Sequence, residues 1–167
     1  MDLNRFKDIS KNKSAENKKF LNGLKKKDPR KVDGAFHTMH EEVFEEINCL
    51  GCANCCKTMT PTFTKQDMKR ISAHFGQSVE EFQTKWLKKE RGGDRDWLNK
   101  TEPCQFLNLT DNKCSIYEVR PADCAGFPHL TKKFNDFVHI HKQNVEYCPA
   151  SYRLVEKMMA GAVGSGK

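Results

Sequence analysis

Long hydrophobic runs are missing from this chain of 167 residues: nowhere do about eighteen apolar residues follow one another, so no membrane-spanning helix is expected. No apolar stretch follows Met1-Asp2-Leu3-Asn4, so no secretory leader is expected, and the chain reads as cytoplasmic, where thiols stay reduced. Tryptophan (two) and tyrosine (three) are scarce, and mean hydropathy is −0.77. Eleven phenylalanines still permit a modest core. There is no Gly-rich phosphate loop, no metalloprotease helix motif and no recognisable Ser–His–Asp set, so no particular hydrolysis or phosphoryl transfer is indicated. Internal repeats are absent too.

Positive charge is present, but in one place. Residues 1–31 hold eleven Lys and Arg against four carboxylates, which accounts for the whole net charge of +7. The remainder is balanced at eighteen of each sign. Such an arm suits an acidic partner or nucleic acid, although only Phe6 and Phe20 are there to stack on bases. A solvated polar helix is the plainer account of the same residues.

Eight cysteines in this length are about 5% of the chain, below the density of a disulfide scaffold. In a reducing compartment their clustering points to metal. The run Cys49-Leu50-Gly51-Cys52-Ala53-Asn54-Cys55-Cys56 contains two overlapping C-x2-C steps. That spacing lets successive sulfurs wrap one centre, and Gly51 and Asn54 are expected to supply left-handed turns. Cys104, Cys114 and Cys124 follow, nine residues apart, and then Cys148 beside Pro149. All eight are candidate metal ligands: Cys49, Cys52, Cys55, Cys56, Cys104, Cys114, Cys124 and Cys148. Sulfur-only ligation favours zinc, iron, an iron–sulfur cluster or copper(I) over magnesium and calcium. Two four-thiolate sites fit the count. So does a cluster held by three tandem sulfurs and one remote sulfur, since C-x2-C-x2-C with a distant Cys-Pro echoes ferredoxin ligation. Adjacent Cys55 and Cys56 do not easily face one mononuclear ion. The histidines (His37, His40, His74, His129, His139 and His141) are weaker candidates, better explained as surface or core residues.

Apolar spacing outlines the rest. Helices are expected at roughly 4–26, 33–47, 64–75, 78–90 and 150–160, the second on the stripe Val32, Phe36, Met39, Val43 and Ile47. Thr64-x-x-Asp67 and Ser78-x-x-Glu81 read as capping boxes, and Ser115 with Glu118 as a cap on a short turn. The alternation at Phe137–His141 is the best strand candidate and would put His139 and His141 on one face; Pro103–Leu109 is second. Arg91–Asp94 is expected to be a loop, with turns at 111–113 and near Pro121. The fold class is therefore mostly α with a minor β element: a small, irregular, metal-stabilised domain with cysteine-bearing loops packed against helices. The expected organisation is a basic helical arm over 1–31, a cysteine-cluster domain over 32–160 and a loose tail from 161.

Four motifs occur in order: Cys49–Cys56, Pro103-Cys104-Gln105-Phe106-Leu107, Lys113-Cys114-Ser115-Ile116-Tyr117-Glu118-Val119-Arg120-Pro121-Ala122-Asp123-Cys124-Ala125-Gly126-Phe127-Pro128, and Cys148-Pro149. Together they resemble the YkgJ-type cysteine-cluster family over about 47–150. The resemblance implies a domain that chelates zinc or iron, with an unsettled biochemical role. A related pattern accompanies further sequence in flagellin lysine methylases; with no Gly-rich nucleotide loop after a strand here, a complete methylase is not expected. Metal binding is thus the expected function. A zinc- or iron–sulfur-dependent enzyme, acting for example in protein modification, and a zinc-stabilised adaptor are the alternatives. Arg120, near Cys114 and Cys124 in sequence, is a candidate to offset the negative charge of a metal–thiolate centre.

Overall fold

The structure is a computed structural model and describes residues 2–90 and 97–161. The expected loop at 91–94 and the tail beyond Gly161 lie outside the described residues. In chain order the helices are α1 Leu3–Asn12, α2 Ser14–Leu24, α3 Pro29–Glu46, α4 Cys49–Cys52, α5 Asn54–Thr58, α6 Lys65–His74, α7 Val79–Trp86, α8 Ala122–Gly126, α9 Phe134–Tyr147 and α10 Pro149–Gly161. The strands are β1 Thr62–Phe63, β2 Leu87–Lys89 and β3 Trp97–Asn99. With 66% of the described residues helical and one small sheet, the fold is mostly α with a minor β element. No described helix is long and apolar enough to cross a membrane. The chain divides into two compact units, Met1–Cys52 with Pro128–Lys167, and Ala53–Phe127.

The first unit is built from long helices. α9 packs against α1, α2, α3 and α10, and α3 against α10. Leu21, Phe36, Val43, Phe134, Leu154 and Met158 are fully buried there. Of the stripe expected on α3, Val32, Phe36 and Val43 are buried, Met39 is half-buried, and Ile47 is half-buried just past the end of the helix. The preceding helix ends at Leu24, and Lys27-Asp28-Pro29 opens α3. Asp28 Oδ1 accepts the Arg30 N–H at 3.0 Å, and proline sits where a helix needs no donor. The single helix expected over 4–26 is two, parted at Lys13, because the polar neighbours Asn12 and Ser14 are weak in helix interiors. Phe6 is buried and meets the Tyr152 ring edge-on, with centroids 5.8 Å apart.

The strand expected at Phe137–His141 is a correction: it lies inside α9. A five-residue window of Phe, Val and Ile alternating with His looks like a strand. Over the longer window, Phe134, Val138, His141 and Val145 recur every three or four residues and are the buried set, which is a helical period. His139 and His141 consequently share no face. His139 is exposed, whereas His141 is 1% exposed and packed against the Phe36 and Phe134 rings.

The second unit has short elements around a smaller core: Phe63, Met68, Ile71, Phe82, Leu87, Phe106 and Ile116. Phe75, Phe82 and Phe106 stack at centroid separations of 6.1–6.4 Å. The sheet order is β1-β3-β2, antiparallel throughout, with Phe63 opposite Trp97 and Leu87 opposite Asn99. Both expected capping boxes are present. Thr64 Oγ1 accepts the Asp67 N–H and Asp67 Oδ2 accepts the Thr64 N–H; Ser78 and Glu81 do the same. The helix expected to run to 90 stops at Trp86, and Leu87–Lys89 form β2 instead. The strand expected at 103–109 is a turn whose ladder is one bridge, Leu107 to Cys114. Ser115 and Glu118 do not cap: the 3-10 turn Tyr117–Val119 has no side-chain cap.

Candidate metal centre

Five of the eight cysteines belong to the second unit and three to the first. All eight thiols are unbridged. They were expected in loops, yet Cys49 and Cys52 bound α4, Cys55 and Cys56 lie in α5, and Cys124 lies in α8. Gly51 sits inside α4; the left-handed residue is Ala53, at φ 47° and ψ 21°. Alanine there carries a Cβ strain that glycine would avoid.

In the second unit the backbone brings four sulfurs toward one another. The Cys104 N–H donates to the Cys56 carbonyl at 2.8 Å, tying the turn after Pro103 to α5. Residues 104–116 then form a tight hairpin. Asn108 N–H donates to Lys113 O and Ser115 N–H to Phe106 O, both at 2.8 Å, while Asn112 turns the chain at φ 59°. This hairpin carries Cys104 on one arm and Cys114 on the other. Cys124 arrives on α8, which a buried carboxylate anchors: Asp67 Oδ1 accepts the Ala122 N–H at 3.0 Å and an Arg70 N–H at 2.8 Å. Arg70 also donates to the Arg120 carbonyl. Asp123 in turn accepts the Thr62 N–H at 3.0 Å, so both ends of this segment are fixed to α6 and β1. Burial pushes the Asp67 carboxyl up, but hydrogen bonds from Thr64, Ala122 and Arg70 outweigh it and hold it below the usual range.

The sulfurs lie within electrostatic reach of each other. Burial raises the Cys104, Cys114 and Cys124 thiols, and each is raised further by other members of the set with Cys56. Cys56 moves the other way, to about 7, through its hydrogen bond with the Cys55 thiol (Sγ–Sγ 4.0 Å) and the adjacent Lys57 cation, against burial. N–H groups are aimed at the sulfurs: Phe106 and Leu107 at Cys104, and Ile116 at Cys114. Asn99 Nδ2 reaches Cys104 Sγ at 3.1 Å. Donors placed this way suit a bound thiolate better than a thiol. Among the described residues, however, no three His, Cys, Asp or Glu side chains are already close enough to grip an ion.

Arg120 stands in this unit with its guanidinium carbon 4.0 Å from the Tyr117 ring centroid and Nη1 donating to the Tyr117 carbonyl at 2.7 Å. Its charge lowers the Cys114 thiol slightly, behind burial and the other cysteines. In the first unit, Asn48 Oδ1 accepts the Leu50 and Gly51 N–H groups and shapes α4. Cys148 is buried at the entry to α10, raised by burial and, in small part, by Cys52. His37, His74 and His139 are exposed, and no described histidine joins a group able to hold an ion.

Sequence reading missed Asn99, Gln105, Asp67 and Arg70 as parts of this site. Asn99, in Asn99-Lys100-Thr101, has no residue type that marks it as part of a metal site. Its position five residues before Cys104, with Gln105 just after, was the available signal.

An uncharacterized protein of Methanocaldococcus jannaschii is 28% identical over 88 residues, 53% of this chain and 47% of that relative. The chain thus spans about half the length of that curated relative. No solved structure matches it. The sequence model of the CxxCxxCC family, described as a "Putative zinc- or iron-chelating domain", covers residues 48–149, from just before the first cysteine to just after the last. With that much of its length matched, the chain belongs to the CxxCxxCC family.

Proposed function

We propose that the protein is a metal-binding module whose second unit holds zinc or iron through Cys56, Cys104, Cys114 and Cys124. One observation carries the reading: α5, the 104–116 hairpin and α8 bring four thiols into mutual electrostatic reach, with N–H donors directed at two of them. A divalent cation removes the repulsion that four neighbouring thiolates otherwise feel. When bound, zinc would tie these loops together, and iron would add redox capacity. Cys49, Cys52 and Cys148 supply a second group of thiols in the first unit, and Cys55 is the eighth sulfur, beside Cys56. The reading places the protein in a reducing compartment, where these thiols stay available. Closing the site requires the four sulfurs to draw together, because among the described residues no three His, Cys, Asp or Glu side chains grip an ion as placed.

Protein purified without oxygen, assayed for metals and inorganic sulfide, tests this. Bound zinc or iron that is lost from a Cys56→Ser/Cys114→Ser double variant supports the reading. A chain with no zinc or iron, or one whose metal survives loss of both cysteines, contradicts it. Sulfide and brown colour would mark an iron–sulfur cluster, and colourless zinc protein would rule one out.

A further inference from the structure

We infer that Asn99 is the positioning residue of the Cys104 sulfur, through a hydrogen-bond relay whose polarity is set by the Trp86 carbonyl. This rests on the metal reading above and goes beyond it by assigning an outer-sphere partner. Asn99 is 1% exposed and ends β3, where it pairs with Leu87 and donates its own N–H to Thr60 Oγ1 at 3.1 Å. Gln105 Nε2 donates to the Trp86 carbonyl at 2.8 Å and to Asn99 Oδ1 at 3.0 Å, while Gln105 Oε1 accepts from the Thr101 hydroxyl. Asn99 Nδ2 lies 3.1 Å from Cys104 Sγ.

The order of donors in this relay is forced. A backbone carbonyl can only accept, so the group of Gln105 that meets Trp86 is its NH2. The group of Asn99 that meets that NH2 is then its oxygen, which leaves the Asn99 NH2 facing sulfur. An amide NH2 only donates, so Cys104 is held as a hydrogen-bond acceptor, the role of a metal-bound thiolate. The bond fixes where the sulfur points and withdraws electron density from it. Cys104 is therefore a less nucleophilic, more firmly placed ligand than its burial alone would make it. If the metal is iron, the same bond favours the reduced state.

Cobalt(II) is the probe, since its sulfur-to-metal charge-transfer band reports thiolate donor strength. The expected result for Asn99→Leu is a folded protein that binds cobalt with the band moved to lower energy. Its cobalt-loaded form should be alkylated by iodoacetamide at Cys104 about tenfold faster, the factor that one hydrogen bond to a charged group carries. Gln105→Leu frees the Asn99 amide without touching the sulfur and should shift both readouts in the same direction by less. A residue that only supported the fold would change stability and leave band and rate alone. An unmoved band with an unchanged Cys104 rate in folded Asn99→Leu overturns the inference; if that variant does not fold, the same outcome in Gln105→Leu overturns it. Cobalt that finds no thiolate in the parent protein instead overturns the metal reading, and this inference falls with it.

Discussion

The two units solve the same problem with different means. The helical unit buries long apolar faces: Leu21, Phe36, Val43, Phe134, Leu154 and Met158 are all sealed from solvent. The cysteine unit has a core of seven buried residues, strands of two or three residues, and five thiols. Its segments from 99 to 127 are held largely by individual hydrogen bonds, such as Asp67 to Ala122 and Cys104 to Cys56. Burial alone can specify a bundle of long helices. Short turns bury too little to do so, and a metal that ties them together can supply the difference.

The largest expected effect breaks the comparison if it fails. Chelation, or Cys114→Ser, should remove metal-coupled folding energy on the order of 10 kcal/mol from the cysteine unit. Hydrogen exchange should then show lost protection within 53–127 while α3, α9 and α10 keep theirs. Equal loss in both units would erase the distinction. The converse change is Phe36→Ala, which empties the helical core between Phe134 and His141 and should cost about 3–5 kcal/mol in denaturant unfolding, with metal content per chain unchanged.

A smaller effect sharpens the helical side. Burial, helped by neighbouring His129 and His139, brings His141 down to about 4 from an ordinary 6.5. Between those values the unfolded chain binds a proton that the folded chain refuses. Stability of the helical unit should therefore fall as pH drops from about 6.5 to about 4, by about 3 kcal/mol. His141→Phe should flatten that dependence, and an unchanged pH profile would contradict the assignment. The smallest effect lies at Ala53. Ala53→Gly relieves a left-handed alanine and should raise stability by about 0.5–1 kcal/mol, read as a shift in the denaturant midpoint.

How much of this was legible in the sequence follows the same division. Capping boxes at Thr64 and Ser78 could be read because each is a local pairing of residues three apart. The α3 stripe could be read because it repeats over twelve residues, from Val32 to Val43. α9 was misread at its centre because five residues cannot separate a period of two from one of 3.6. β2 and β3 are short, and their pairing depends on partners eight to twelve residues apart in the chain, so neither left a local signature. In the site, the cysteines announced themselves by type and spacing. Their supports did not: Asn99, Gln105, Asp67 and Arg70 are ordinary polar residues whose importance lies in contacts made after folding.

X-ray absorption at the metal edge of anaerobically prepared protein tests the central claim most directly. The expected spectrum has a first shell dominated by sulfur at about 2.3 Å, collapsing when Cys56, Cys104, Cys114 and Cys124 are changed to serine. A shell of oxygen and nitrogen, or a sulfur shell indifferent to those four substitutions, would contradict it.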